Sequence, residues 1–347
     1  MSPDPASVRR RKIRYLALLL VVVLLAGGWI VFWYVAQTKA QAAIEGWKAR
    51  EARSGRLYRC GSQSMGGFPF RIEVTCDRAS AEIASAHPPL DVKAGQILVV
   101  SQVYDPTLLI SEVSGPVSIA DAGQPPHLIA NWSLAQSSLR GLPQSPQRVS
   151  LVFDDPTLDK ANPSERILSA KHLELHGRML EGSARSNPVI EIDFQSVQLT
   201  APPAGAMAVK PIDANIDGVI RGLKDFSPKP WPDRFREIQQ AGGSFEIRNA
   251  RIQQGDTLAI GKGTVKINEH GKLDGQIDVV VAGLESLINE YAAANKKKLG
   301  FSVSIGLGLL GGNATVEGRR ALALPLRISD GVMLLGPIKL GEIPALF

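Results

Sequence analysis

Residues 244–281 read SFEIRNARIQQGDTLAIGKGTVKINEHGKLDGQIDVVV, and their pattern decides the fold class. Phe245 and Ile247, Leu258 and Ile260, Val265 and Ile267, and Ile277, Val279 and Val281 form four runs in which apolar and polar residues alternate. A period of two places every second side chain on the same face, as in a strand with one covered side. Gln254-Gly255-Asp256, Gly261-Lys262-Gly263 and Asn268-Glu269-His270-Gly271 fall between the runs and supply turn residues. The stretch therefore predicts a four-stranded antiparallel meander.

The same texture extends in both directions. Upstream, alternating runs occur at 97–100, 149–153 and 173–175 and at Ile190, Ile192 and Phe194. The last run changes phase before Val197 and Leu199, as a β-bulge requires. Between 201 and 232 lie six prolines, Pro202, Pro203, Pro211, Pro228, Pro230 and Pro232, which predict an irregular crossover. A short helix over 233–240 follows, ended by Gly242 and Gly243. Downstream, Leu284, Leu287, Ile288 and Tyr291 share a helical face and predict a helix over 284–298, closed by three lysines and Gly300. Leu322, Leu324, Leu326 and Ile328, the turn Ser329-Asp330-Gly331, and then Val332 begin a final hairpin.

The N-terminus differs from everything after it. Residues 16–36 read LALLLVVVLLAGGWIVFWYVA, 21 positions without a charge. At about 1.5 Å per residue the run matches a hydrocarbon core of about 30 Å. It exceeds the 7–15 residues of a signal-peptide core, so an uncleaved anchor is expected, with Leu16, Leu20 and Val23 in lipid. Trp29, Trp33 and Tyr34 gather at its C-terminal end, where amphipathic rings favour the headgroup region. Arg9, Arg10, Arg11, Lys12 and Arg14 crowd the other end and predict a cytoplasmic N-terminus. Residues 37–54 are rich in Ala, Lys, Glu and Arg and continue as a helical stalk.

The expected organisation is thus a basic tail at 1–15, a transmembrane helix at 16–36, a stalk at 37–55, a β-rich lobe at 56–200, the proline-rich crossover at 201–241 and a second β-rich lobe at 242–347. The fold class is mainly β: one N-terminal transmembrane helix and a large antiparallel β-rich region, either a curved sheet with a groove or two layers, with a few short helices.

Charge narrows the partners. The chain of 347 residues carries a net +6, but residues 1–15 alone supply +4. The basic excess belongs to a membrane flank, and with 6% aromatic residues no nucleic-acid partner is expected. The two cysteines, Cys60 and Cys76, bracket a turn and a strand, and a hairpin brings them within bridging reach. A disulfide there requires an oxidising compartment, which places the β-region in the periplasm and the anchor in a bacterial inner membrane.

Catalytic signatures are absent. Gly306-Leu307-Gly308-Leu309-Leu310-Gly311 matches a dinucleotide fingerprint in spacing, but the helix and βαβ unit that give it meaning do not follow. His172, Glu174 and His176 share a strand face, yet histidine backbones about 13 Å apart do not close easily on one ion. Gly61-Ser62-Gln63-Ser64-Met65-Gly66 lacks the spacing of a nucleophile elbow. No catalytic residue, cofactor or metal is expected.

The phrase Gly66-Gly67-Phe68-Pro69-Phe70-Arg71 leading to Cys76 resembles the bacterial envelope family called domain of unknown function 2125. So do Leu324-Pro325-Leu326-Arg327-Ile328, Asp330-Gly331 and Leu335-Gly336-Pro337-Ile338 at the C-terminus. That resemblance implies architecture and location and no chemistry. The glycine-punctuated meander is also similar in style to the AsmA-like envelope proteins, whose β-grooves hold lipids. The function expected is envelope maintenance or lipid handling through an apolar β-groove, with the bilayer and a lipid as partners. A scaffold binding other envelope proteins is the alternative, and a hydrolase a more distant one.

Overall fold

The computed structural model describes residues 5–142, 145–202, 210–227, 229–284, 312–335 and 338–347. Four expectations lie outside the described residues. These are the helix over 284–298 beyond Leu284, the glycine run at 306–311, the Gly336-Pro337 turn, and the side chains of Arg9, Arg10, Arg11 and Lys12.

One helix, Pro5–Arg53, contains both the expected span and the stalk. It is long and apolar enough to cross a membrane, and its apolar stretch is almost wholly uncovered by the rest of the chain. Gly46 does not interrupt it, because a single glycine costs a helix only about 1 kcal/mol against alanine.

All 21 described strands join one antiparallel sheet. Arg71–Ile83 carries two short strands end to end along one side, Arg56–Arg59 and Ser62–Gly66. Leu90–Gln102 lies along its other side. The main path then runs through Asp105–Ser114, Leu134–Arg140, Arg148–Asp154, His172–Ser183 and Ser186–Leu199. It continues through Ile212–Arg221, Ser244–Gln254, Thr257–Ile267, Leu273–Ala282 and Arg319–Ser329. Ile212–Arg221, inside the stretch expected as an irregular proline-rich crossover, is instead a regular strand; it pairs with Ser186–Leu199 on one side and Ser244–Gln254 on the other, so the sheet runs unbroken between the two expected lobes.

A seam crosses the first half of the sheet. Leu90–Gln102 pairs with Asp105–Ser114 over one part of its length and with Val117–Asp121 over the other. Later strands break at matching rungs: at Trp132-Ser133, at Asp155-Pro156 and at Ala170-Lys171, with Leu128–Asn131, Thr157–Ala161 and Ser164–Ser169 beyond the break. Arg78, Asp155 and Gln198 adopt positive φ on this line, at 48°, 47° and 51°. The register shift between Ser196 and Leu199 is the bulge that the phase change near Val197 predicts. Bends of this kind re-aim a strand without ending it. The seam keeps its backbone bonds: Ser133 N–H donates to Asp154 O, Asp155 N–H to Lys171 O, and Lys171 N–H to Val197 O, each at 2.9 Å.

The meander at 244–281 has three strands, not four. Gly261-Lys262-Gly263 lies inside Thr257–Ile267 and makes no turn. Gly263 pairs with Ile247 and Ile277, and a Cβ there would sit 2.1 Å from the Gln276 carbonyl. The glycines permit close strand approach, as they do where backbones must nearly touch. One continuous strand puts Leu258 and Ile260 on the face opposite Val265 and Ile267. Both faces are consequently apolar at this end. Val281, Leu284, Leu324 and Leu335 form a buried cluster on one side, and Leu258, Ala282, Val316 and Ala321 form another on the opposite side.

The short helix runs Trp231–Gln240, two residues earlier than the sequence suggests. Pro232 sits in its first turn, where a missing N–H costs nothing.

Candidate functional site

Directly paired residues in a ladder share a face, so each rung can be followed across the sheet. One rung reads Val74, Val99, Ser111, Ser137, Leu151, Leu175, Phe194, Ile216, Ala250, Gly261, Val279 and Leu324. The rung two residues along passes through Ile97 and Val113 and, past the last pair of the next ladder at Glu112 and Gln136, through Ala135, Phe153, Leu173, Ser196, Ala214 and Ile252. Leu139, Val149, Gly177 and Ile192 continue the pattern on the other side, and then Met179, Ile190, Ile220 and Phe245. Not one of these positions is charged. One apolar face is thus carried across twelve strands; only at the end around Leu258, Ala282 and Ala321 is the other side apolar too.

That face is incompletely covered. Leu175 and Ile252 are each 41% exposed and Val149 38%, whereas a packed core would hold them below a tenth. Two cavities open on it, about 350 Å³ beside Leu139, Leu151, Leu175 and Phe226, and about 440 Å³ beside Ile220, Phe235, Phe245, Val265 and Ile328. Ile192 lines both, so they abut. Apolar clefts of this size, with few polar groups in the wall, suit apolar ligands.

The short helix closes one margin of the face with Phe235 and Ile238. A buried carboxylate fixes it there. Glu237, 6% exposed, accepts from the backbone N–H of Lys224 at 2.7 Å, from Arg234 at 2.8 Å and from Lys229. Gly243 lets the following strand pass closely, since a Cβ there would lie 2.4 Å from the Arg221 carbonyl.

The long helix covers the same face at its first strands. Trp33 is 5% exposed and packs on Ile72 and Val103, with Ala36, Ala40, Met65 and Val74 around them. Its indole N–H donates to the Arg71 carbonyl at 2.9 Å, and that of Trp29 to the Pro69 carbonyl at 2.9 Å. Sequence reasoning assigned Trp33 to the lipid interface; its ring is turned to the sheet. Leu16, Leu20, Val23 and Tyr34 stay exposed at 57–67%. Cys60 and Cys76 form a disulfide with Cα atoms 5.3 Å apart. It crosses the gap between the two short strands instead of a hairpin rung, for Cys76 itself pairs with Gln63.

Over the middle strands the opposite face is polar. Arg178 and Arg248 both reach Glu191, at 2.6 and 2.7 Å. His172 lies between two carboxylates, Glu174 at 2.7 Å and Asp154 at 2.6 Å, and Glu174 also holds His176 at 2.9 Å. Only an imidazolium donates through both nitrogens, so Glu174 and then Asp154 raise the His172 pKa above 6.5. His176 and then His172 lower that of Glu174 below 4.5. These side chains are bonded to one another, and among the described residues no group of three His, Cys, Asp or Glu is arranged to hold a metal ion.

The residues to which sequence reading assigned no functional role are Leu175, Ile192, Phe226 and Phe235, together with Phe68, Phe70 and Tyr104 near the anchor. The strand positions carried a period-two signal; what faces them depends on pairings between distant segments. Residues 33–344 match the family model described as an uncharacterized protein conserved in bacteria, DUF2125. No curated protein matches the chain.

Proposed function

The chain belongs to the DUF2125 family, and from that premise we propose a single-pass, non-catalytic envelope protein that shelters lipid acyl chains on its sheet. In this reading the N-terminus is cytoplasmic, the anchor lies in the inner membrane, and the sheet stands in the periplasm. One observation carries the reading: an apolar face spans twelve strands and is left partly open, with two adjoining apolar cavities meeting at Ile192. Soluble proteins rarely expose so much contiguous apolar surface without a ligand, a partner or a membrane to cover it. The cavity walls favour an acyl chain over a protein, because the surface they expose is almost wholly apolar even where Arg148, His176 and Lys266 border it. The anchor supports the same reading by holding the face beside a source of lipid.

A photoreactive benzoylphenylalanine replacing Leu175, Val149 or Ile252 in the full chain, irradiated in cells, tests the proposal. Lipid adducts are expected at all three positions and not at Arg178 on the polar face. Protein adducts in place of lipid would establish the scaffold reading instead. An absence of any adduct would also overturn the lipid assignment.

A further inference from the structure

The turn that follows Gly66 lies against the anchor and not above it. Gly67 adopts φ 95°, and a Cβ there would sit 2.6 Å from the Arg71 carbonyl. The tight turn displays Phe68 and Phe70 on its outside, 53% and 62% exposed. Phe68 meets Trp33 edge-on at 5.5 Å, and Phe70 meets Trp29 at 6.1 Å. The neighbouring hairpin contributes Tyr104, 68% exposed, through the bond from Val103 N–H to Phe70 O at 3.0 Å. Two exposed aromatic rings therefore lie against the helix about one turn apart, and the hairpin that carries Tyr104 is bonded to the same turn.

That stretch of the helix falls within the apolar span. Trp29 stands seven residues before Ala36, about 10 Å down the helix axis, and Trp33 about 4–5 Å. If residues 16–36 fill the hydrocarbon core, the turn reaches below its surface. Its backbone is equipped for that depth. The carbonyls of Gly67, Pro69, Phe70 and Arg71 accept from Arg71 N–H, Trp29, Val103 N–H and Trp33. Pro69 has no N–H to satisfy. Unpaired backbone groups are costly in lipid, and aromatic rings favour its interface.

We propose that Phe68, Phe70 and Tyr104 form a second membrane contact, an aromatic tip sunk into the outer leaflet of the lipid bilayer beside the helix. The occupant of this patch is the bilayer itself, because the patch is continuous with the exposed span. The tip sets the first strands of the apolar face at the acyl-chain boundary, so a chain can pass from leaflet to sheet without crossing water. The inference rests on reading residues 16–36 as a span.

The test places 4-trifluoromethylphenylalanine at Phe68, Phe70 or Tyr104 of the full chain, one at a time. The protein is reconstituted in vesicles of phosphatidylethanolamine and phosphatidylglycerol. Fluorine signals from all three positions are expected to be lost with nitroxide-labelled lipid and retained with a soluble gadolinium chelate. A label at Trp231, 73% exposed on the short helix, should behave the opposite way. Loss to the chelate alone at the tip, with Phe32 still quenched by lipid, would overturn the aromatic tip and leave the span intact. A Phe32 label insensitive to lipid would overturn both. Crosslinking at Leu175 reads the acyl-chain proposal independently of either result.

Discussion

Trp47 stacks on Tyr58, ring centroids 4.7 Å apart, and so joins the helix to the first strand well past the end of the apolar run. Trp33 makes another attachment, within the apolar run itself. The two differ in burial: Trp47 is 42% exposed and Trp33 5%. Removing a buried indole leaves a cavity, whereas an exposed stacked pair loses only its ring contact. Trp33→Ala should therefore destabilise the protein by about 3–5 kcal/mol, and Trp47→Ala by about 0.5–1.5 kcal/mol. Denaturant unfolding in a fixed detergent compares them; equal losses would contradict the burial argument.

The Cys60–Cys76 bond gives a chemical test of compartment. Alkylation of denatured protein without reductant should label neither cysteine when the chain is taken from its native membrane. Full labelling of both would contradict an oxidising location. The sequence separation is 16 residues, and the double change Cys60→Ser with Cys76→Ser should cost about 3 kcal/mol in the chain-entropy account.

Stability and lipid contact should separate on the apolar face. Leu175→Asp places a charge at a site already 41% exposed, and its cost should stay near about 1 kcal/mol. Lipid adducts at the neighbouring Val149 should nevertheless fall. Leu258→Ala, at 1% exposure, should cost about 2–5 kcal/mol and leave those adducts unchanged in the folded fraction.

The His172 chain predicts a pH window. The raised His172 pKa stabilises the fold fully below 6.5, and that contribution is lost as pH rises through the higher folded value. The lowered Glu174 pKa stabilises above 4.5, and that contribution is lost as pH falls through the lower folded value. The two overlap between about pH 4.5 and 6.5. Melting temperatures of the parent and His172→Asn should differ most inside that window and converge at higher pH. A difference independent of pH would assign the effect to packing.

Much of this is legible in the sequence. Alternation at Phe245, Val265 and Ile277 identified strands, and the slip between Phe194 and Val197 located a bulge. Local signals have local physical causes. Gly261-Lys262-Gly263 misled because glycine serves both a turn and a close strand approach, and only the facing Gln276 carbonyl distinguishes them. Leu90–Gln102 pairs with two different strands, and nothing within its own thirteen residues announces the division. The bond from Trp33 to Arg71 joins groups 38 residues apart, so an indole suited to a headgroup and one suited to a carbonyl look alike in sequence.

The seam turns chain length into a constraint. Arg71–Ile83 and Leu90–Gln102 run across it and the following strands break level with them, so the count of residues leading to each break is set by the strand beside it. Deleting one residue between Arg148 and Asp154 would carry Val149, Leu151 or Phe153 to the charged side and slide Asp155-Pro156 out of step with Trp132-Ser133. At Gly123, on a hairpin tip with open space around it, no such count is kept. The sheet works like ruled paper: substitutions rewrite a line, while insertions belong in the margins.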